Sequence, residues 1–155
     1  MINKATFGAG CFWHVEEKFR ITQGVKKTRV GYMGGKSKNP TYDEVCADDT
    51  GHIEVVEVTF DTVNLKYETL LDVFWRIHNP TQLDKQGQDV GSQYKSIIFY
   101  HTEEQKKKAF LSKERLERSK KYDAPIITEI RKAGTLWEAE EKHQKYFLKK
   151  GRNTC

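Results

Sequence analysis

Hydrophobic positions along the chain recur with two different periods, which predicts an alternation of strands and helices. The apolar side chains of Tyr67–His78 lie at helical spacing, and the segment stops before Pro80, as helices do. The two periods predict strands at Lys4–Phe7, Lys27–Tyr32, Ile53–Phe60, Lys95–Tyr100 and Pro125–Ile130, and helices at Trp13–Phe19, Tyr42–Ala47, Tyr67–His78, Thr102–Tyr122 and Trp137–Leu148. Thr81–Gln93 is a long polar loop, and loops of this length are often functional.

The chain shows no sign of a division into domains. Its 155 residues match one ordinary domain, and no internal repeat, low-complexity tract or proline-rich linker interrupts them. We therefore expect a single domain over residues 1–155, with a flexible C-terminal tail at residues 149–155. The alternation of strands and helices by itself suggests a doubly wound parallel sheet.

The composition is polar, but it includes enough large side chains to build a core. Apolar residues make up 37% and charged residues 32% of the chain, and the mean hydropathy is −0.77. Eight Phe, seven Tyr and three Trp argue against a disordered protein. No stretch has the roughly 18 consecutive apolar residues of a membrane helix, and the N-terminus lacks the apolar run of a secretory signal. We expect a soluble cytoplasmic protein that contacts no membrane.

The net charge of +5 is concentrated in one segment. Thr102–Tyr122 carries eight Lys or Arg and four Glu, which leaves about +1 for the rest of the chain. Its first four residues, Thr102-Glu103-Glu104-Gln105, match a capping box at a helix start. Neither interleaved aromatic residues nor a recognition motif accompanies the charge, so we interpret the segment as a solvated helix and expect no nucleic-acid partner.

Cys11 follows a predicted strand and Gly8-Ala9-Gly10, and it lies where a helix begins. Small residues permit an unusual backbone path there, and a helix N-terminus favours the thiolate, which is the nucleophilic form of cysteine. The sequence is equally compatible with a small, inert core residue. Cys46 and Cys155 form no C-x-x-C pair with it, and the five histidines show no ligand spacing, so we expect neither a disulfide scaffold nor a metal site.

Glu54 lies on the apolar face of a predicted strand. Period-two spacing in Ile53–Phe60 places its carboxyl on the same side as three apolar residues. These residues are Val56, Val58 and Phe60. A desolvated carboxyl has a raised pKa and can hold a proton near neutral pH, as a general acid must. The alternative is that Glu54 lies at the end of the strand and turns towards water.

Five further residues are weaker candidates. Tyr42 follows a turn and Tyr94 ends the polar loop, so either hydroxyl could donate to a polar substrate, although tyrosines are also common at the edge of a core. Asp89 could cap a turn. Phe12 and Trp13 could pack in the core or form the wall of an apolar pocket over a neighbouring sulfur.

Seven short motifs, spread over nearly the whole chain, carry the most specific signal. They are Gly10-Cys11-Phe12-Trp13, Gly31-Tyr32-x-Gly34-Gly35, Asn39-Pro40-Thr41-Tyr42-x-x-Val45-Cys46, Gly51-His52-x-Glu54-Val55-Val56, His78-Asn79-Pro80-Thr81, Gln86-Gly87-x-Asp89-x-Gly91-x-Gln93-Tyr94-x-Ser96 and Ala139-Glu140-x-x-His143-Gln144-x-Tyr146. In this order they resemble peptide methionine sulfoxide reductase A. The resemblance implies a single-domain α+β fold, a two-layer sandwich in which helices pack on a mixed sheet with a ferredoxin-like core.

The resemblance also implies an activity, which is the reduction of the S epimer of methionine sulfoxide, in proteins and free, to methionine. The residues that match the family's site are the nucleophile Cys11, which becomes a sulfenic acid, the acid Glu54, the hydrogen-bonding Tyr42 and Tyr94, the polar pocket residue Asp89, and Phe12 with Trp13 as the apolar wall around the substrate methyl. No cofactor is implied. The implied partners are oxidised proteins and free methionine sulfoxide as substrates, and thioredoxin or a similar dithiol as the reductant of a monomeric enzyme.

By the same resemblance, Cys155 corresponds to the family's resolving cysteine, which forms a disulfide with the oxidised Cys11. Cys46 is the rival, but it lies in a predicted short helix, where we expect it to be buried and fixed. Three features depart from the family: His14 replaces the usual glycine after Cys-Phe-Trp, the tail is reduced to Gly151–Cys155, and the sequence offers no second resolving cysteine. His14 could perturb the thiol or merely face the solvent.

Two other classes of protein stay open at this point. A binding module could capture methionine-containing segments in an aromatic pocket with a vestigial thiol, although Cys11, Glu54 and Tyr94 are all present. Another thiol-based reductase or peroxidase would need a stabilising cation beside its cysteine rather than a carboxyl and two aromatic residues.

Overall fold

The computed structural model describes residues 1–47 and 50–150, in which strands and helices alternate along the chain. The strands are β1 (Ile2–Ala9), β2 (Val25–Met33), β3 (Ile53–Asp61), β4 (Lys85–Gln86), β5 (Asp89–Val90), β6 (Ser96–Tyr100), β7 (Glu129–Lys132) and β8 (Trp137–Glu138). The helices are α1 (Phe12–Arg20), α2 (Tyr42–Cys46), α3 (Tyr67–Arg76), α4 (Glu103–Ser119) and α5 (Tyr146–Lys150). Each strand and helix predicted before residue 123 is confirmed, with ends that move by at most three residues.

Six strands form one sheet in the order β7-β6-β1-β3-β2-β8, and β4 and β5 form a separate hairpin. Neighbouring strands are antiparallel apart from β6 and β7, so the doubly wound parallel sheet that the alternation suggests is wrong. Strands β2 and β3, which are consecutive in the sheet-forming part of the chain, pair directly with each other in the antiparallel sense, so no crossover places them side by side as parallel neighbours. The inner order β6-β1-β3-β2 is that of a ferredoxin-like core.

Helices cover one face of the sheet, where the main core lies. Alternate residues of β3 enter this core as predicted, namely Val56, Val58 and Phe60. The opposite face has a smaller apolar cluster that includes Ile53 and Val55. The two-layer α+β arrangement is therefore confirmed. Within residues 1–47 and 50–150, none of the helices combines the length and the apolar character of a membrane span.

The predicted helix over Trp137–Leu148 is wrong in its first half, since its start forms the edge strand β8 and its end forms α5. Gln144 explains the difference. Its side-chain amide accepts a hydrogen bond from Val30 N and donates one to Val30 O, both at 2.9 Å. These bonds hold the segment along β2, and Lys145, in the left-handed region at φ 49°, separates it from α5.

Two other segments differ from their predictions. The strand predicted at Pro125–Ile130 begins later, as β7, and Thr81–Gln93 contains the β4–β5 hairpin and the start of a 3₁₀ turn at Ser92–Tyr94. The basic helix α4 is solvated, with two of its 17 residues buried. Of the expected tail, residues 149 and 150 belong to α5, and residues 151–155 lie outside the described residues.

Candidate active site

Cys11 lies at the junction of β1 and α1. It is the N-cap residue of α1, and its side chain is partly exposed. Gly10 has φ +102°, which residues with a side chain rarely adopt, and a Cβ there would lie 3.0 Å from the Cβ of Gln86 in β4. The hairpin therefore packs closely on this glycine. As the N-cap residue, Cys11 lies at the positive end of the α1 dipole, a position that in general favours a thiolate over a thiol.

Glu54, at the start of β3, is a buried carboxyl on the helix-covered face, with 1% of its surface exposed. Its Oε1 accepts a hydrogen bond from the backbone N of Phe12 at 3.1 Å. Its Oε2 is buried and has no hydrogen-bond partner among the described residues. Burial is the main cause that raises the pKa of Glu54 to about 8. The hydrogen bond from Phe12 lowers this pKa, and the negative charge of Asp89 raises it further. The carboxyl is thus largely neutral at neutral pH, with room for its proton on Oε2.

The first turn of α2, which carries Tyr42, is fixed from two sides. Thr41 and Glu44 form a capping box with hydrogen bonds of 3.2 and 2.8 Å. The Glu140 carboxylate accepts a hydrogen bond from the backbone N of Tyr42 at 3.0 Å and another from the Tyr32 hydroxyl at 2.9 Å. Burial raises the pKa of the Tyr42 hydroxyl, so this group stays protonated and able to donate.

Tyr94 ends the 3₁₀ turn that follows the β4–β5 hairpin, and Asp89 lies in β5. Burial is the main cause that raises the pKa of the Tyr94 hydroxyl, and the charge of Glu54 is the next. The charges of Cys46, Asp89 and Cys11 contribute further. Tyr94 therefore lies within electrostatic range of both the candidate nucleophile and the candidate acid. Asp89 is exposed, which leaves its carboxylate accessible to a polar group of a bound molecule.

Phe12 and Trp13 lie at different depths. Phe12 is fully buried, with its ring centroid 6.3 Å from that of Tyr42 and 5.7 Å from that of Tyr32. Trp13 is partly exposed and stacks face to face on Tyr146, with ring centroids 3.8 Å apart. Trp13 is thus the aromatic surface that a bound molecule can reach, whereas Phe12 supports the site from the core.

For the other two cysteines and for His14, the structure bears on the sequence-based expectations in different ways. Cys46 is exposed, not buried as predicted, because the short helix α2 buries only Val45. The pKa of the Cys46 thiol is raised, by partial desolvation first and also by the charge of Glu54, which disfavours a thiolate. Cys155 lies outside the described residues. His14 is half-buried, and burial lowers its pKa, so it adds no positive charge beside the candidate nucleophile at neutral pH.

Four residues that the sequence did not single out surround the candidate site: Tyr32, Glu140, His143 and Tyr146. Each of them lies in the motif that begins at Gly31 or in the one that begins at Ala139. Membership in these motifs was the signal in the sequence that could have marked them as site residues. Their side chains come from β2 and from the segment after β8, so their contacts with the site depend on tertiary structure.

The site combines the candidate nucleophile Cys11, a buried acid that is neutral at neutral pH and two hydroxyls that stay protonated. The hydrogen bond from Phe12 N places the acid Glu54 next to the backbone of Cys11. Such a set can attack a polarised centre while it protonates the oxygen bound to that centre. Within residues 1–47 and 50–150, no three His, Cys, Asp or Glu are grouped so that they could hold a metal ion.

Sequence comparison identifies a family for the whole chain. The family model described as "Peptide methionine sulfoxide reductase" matches residues 3–155. A protein named Peptide methionine sulfoxide reductase MsrA from Methanothermobacter thermautotrophicus is 59% identical over 152 residues, which are 98% of this chain and 90% of that protein. A protein of the same name from Geobacter metallireducens is 54% identical over 154 residues, which are 99% of this chain and 95% of the other.

Solved structures share the fold. Mxr1 from Saccharomyces cerevisiae in its reduced form has a TM-score of 0.92 at 30% identity, over 99% of this chain and 88% of Mxr1. Methionine sulfoxide reductase A of Corynebacterium diphtheriae has a TM-score of 0.85 at 32% identity, over 99% of this chain and 77% of the other. The match of the family model and the identity to these relatives show that the chain belongs to the peptide methionine sulfoxide reductase family.

Proposed function

We propose that this chain reduces the S epimer of methionine sulfoxide, in proteins and as the free amino acid, to methionine. The observation that carries the proposal is the hydrogen bond from Phe12 N to Glu54, since it holds a buried, protonated acid beside Cys11. Relatives named Peptide methionine sulfoxide reductase MsrA support the same reaction.

The first step is attack of the Cys11 thiolate on the sulfoxide sulfur. The sulfoxide oxygen is a poor leaving group, so it must be protonated during the attack. Glu54 donates this proton, and the hydroxyls of Tyr42 and Tyr94 stabilise the charge that develops on the oxygen. The bond formed between the two sulfurs is transient, and it breaks as the protonated oxygen shifts to Sγ of Cys11. This leaves a sulfenic acid on Cys11 and releases methionine with the bonding electron pair on its sulfur. The sulfoxide gains the two electrons that the thiolate loses.

Selection of one epimer follows from the different surroundings of the two small substituents on sulfur. The methyl group packs on Trp13, and the oxygen points to Glu54 and the tyrosine hydroxyls. In the opposite epimer the oxygen would lie against aromatic carbon without a donor, at a cost of a few kcal/mol. The family resemblance assigns the accepted epimer as S.

A second thiol then resolves the sulfenic acid, and Cys155 is our candidate. Condensation of the two groups forms a disulfide and releases water. A dithiol such as thioredoxin returns both cysteines to thiols and becomes a disulfide itself. Mxr1 has been solved in complex with Trx2, which supports a partner of this kind.

We assign the enzyme to the cytoplasm and to a monomeric state as finer parts of the same proposal. Thiol reduction is sustained in the cytoplasm, and the cycle requires it. One chain supplies each residue of the proposed site, so a second subunit is not needed for the chemistry.

The Cys11→Ser variant tests the proposal directly. Reduced protein is mixed with S-methionine sulfoxide without added reductant, and the methionine formed is quantified. The wild type should form methionine in proportion to the enzyme, whereas Cys11→Ser should form none, because a serine hydroxyl is not ionised at neutral pH and cannot accept the oxygen in the same way.

Cys46→Ser is the matched control, since it makes the same change at an exposed thiol, and it should behave like the wild type. If Cys11→Ser retains even a few per cent of the wild-type rate, another group is the nucleophile. A wild type that binds the sulfoxide without converting it would favour the methionine-binding module instead.

A further inference from the structure

A histidine that the proposed reaction does not use holds the exposed aromatic wall of the site. The indole Nε1 of Trp13 donates a hydrogen bond of 2.9 Å to Nδ1 of His143. His143 is 3% exposed, and its ring centroid lies 4.5 Å from that of Tyr42 and 5.5 Å from that of Phe12. One buried ring therefore contacts three aromatic side chains of the site.

The hydrogen bond from Trp13 defines the tautomer of His143. Nδ1 can accept this bond only while it carries no proton, so the imidazole is neutral with its proton on Nε2. Burial lowers the pKa of His143, an effect that Glu140 opposes and Lys142 reinforces, and the neutral form is therefore favoured at neutral pH. Nε2 is buried and has no hydrogen-bond partner within residues 1–47 and 50–150.

Stacking on a second side chain leaves the indole of Trp13 free to move within its own plane, and the hydrogen bond to His143 removes this freedom. The indole stacks on Tyr146 with ring planes only 8° apart. Stacking sets the plane of the indole, but it permits the ring to turn or slide within that plane. A hydrogen bond to the edge atom Nε1 fixes the remaining orientation. Because Trp13 is partly exposed, this orientation sets the shape of the wall that meets a substrate.

We infer that His143 is a positioning residue, whose Nδ1 sets the indole of Trp13 in the orientation that receives the substrate methyl group. The inference rests on the proposed function, in which Trp13 forms the apolar wall. His143 acts through Trp13 and donates no proton to the sulfoxide. Its loss should therefore weaken substrate capture and epimer selection more than the rate at saturating substrate.

Two variants separate the hydrogen bond from the ring contacts. His143→Phe keeps an aromatic ring against Tyr42 but removes the acceptor. His143→Asn loses the ring but keeps an acceptor oxygen near the position of Nδ1. In single-turnover assays, His143→Phe should raise the half-saturating concentration of S-methionine sulfoxide about fivefold, the factor expected for one hydrogen bond of ordinary strength. The saturating rate should change little, and His143→Asn should recover most of the lost affinity.

His101→Asn is the matched control, since His101 also makes a side-chain hydrogen bond, to Thr6 at 2.8 Å. His101 follows the last residue of β6, whereas Ser96 at the other end of this strand pairs with Ala9 beside the site. The His101→Asn substitution should therefore leave the half-saturating concentration and the saturating rate unchanged. The inference is overturned if the Phe and Asn variants weaken capture equally, or if the saturating rate falls as much as the affinity. If the wild type itself reduces no sulfoxide, the proposed function fails instead.

A measurement on the wild type keeps the inference testable should the variants fold poorly. Long-range ¹H–¹⁵N spectra of histidine-labelled protein report the tautomer of each imidazole. The spectra should show His143 with a proton on Nε2 and an unprotonated Nδ1 near neutral pH. A proton on Nδ1 would overturn the inference, because this nitrogen could then not accept the bond from Trp13.

Discussion

Glu54→Gln should slow the first chemical step by a factor on the order of 10² to 10⁴ near neutral pH, the usual range for loss of a general acid. The substitution keeps the shape of the side chain and an acceptor for the N–H of Phe12, but it removes the acidic proton. With a pKa of about 8, Glu54 is about nine-tenths protonated near pH 7 and about one-tenth protonated near pH 9. The wild-type acid is therefore lost as the pH rises through about 8.

The ratio of the wild-type rate to the Glu54→Gln rate should accordingly fall about tenfold between about pH 7 and pH 9. The ratio cancels ionisations that both proteins share, including that of the Cys11 thiol. Rapid-quench single turnovers with S-methionine sulfoxide measure it without interference from the reductant. A ratio that stays constant over this range, or a variant within threefold of the wild type, would remove Glu54 from the role of acid.

The same pKa predicts a change in stability with a definite sign. The folded protein keeps the Glu54 proton up to about pH 8, whereas the unfolded chain loses it near the ordinary pKa of 4.5. Stability from this group is therefore lost as the pH rises between these values. The difference between the two pKa values, about 3.5, corresponds to about 5 kcal/mol at about 1.4 kcal/mol per pKa unit. Between about pH 4.5 and pH 8, the free energy of unfolding of Glu54→Gln in urea should rise relative to that of the wild type by up to this amount. If the difference in unfolding free energy between the two proteins does not change with pH, Glu54 is not a buried neutral carboxyl.

Three further predictions concern the rest of the site. From a racemic sulfoxide, pure protein should consume the S epimer and leave the R epimer, as followed by chiral chromatography, and equal consumption of both would contradict the asymmetric pocket. Cys155→Ser should still release close to one methionine per enzyme but lose most of its thioredoxin-coupled turnover, and unimpaired cycling would make this cysteine incidental. Glu140→Ala should lower the free energy of unfolding by about 1–3 kcal/mol, because it leaves the Tyr32 hydroxyl and the N–H of Tyr42 without an acceptor; denaturant melts that match the wild type would show that these bonds contribute nothing.

Local periodicity was sufficient to predict the strands and the helix that position the candidate nucleophile and the candidate acid. The position of Glu54 among apolar residues follows from the alternation within β3, which a strand imposes on its own side chains whatever surrounds it. Cys11 lies between a strand and a helix, both of which the sequence indicates locally. The parallel sheet was wrong because strand order depends on long-range pairing, which no local period encodes.

The parts of the site that the sequence missed are those that tertiary contacts create. His143 and Glu140 act through Trp13 and Tyr42, which lie about 100 residues or more away in the chain. The segment that carries them has helical periodicity, but pairing with β2 converts its start into a strand. Cys46 was expected to be buried because it lies in a predicted short helix, yet a five-residue helix at the surface cannot bury all of its sides.

The central claim is that the sulfoxide oxygen is transferred to the sulfur of Cys11. Reduced Cys155→Ser protein, treated with one equivalent of S-methionine sulfoxide labelled with ¹⁸O, tests this by peptide mass spectrometry with a sulfenic-acid trap in a parallel sample. We predict one labelled oxygen on the peptide that contains Cys11, methionine in equal amount, and trapping at the same residue. Formation of methionine with an unlabelled Cys11, or with the label on Cys46, would contradict the account.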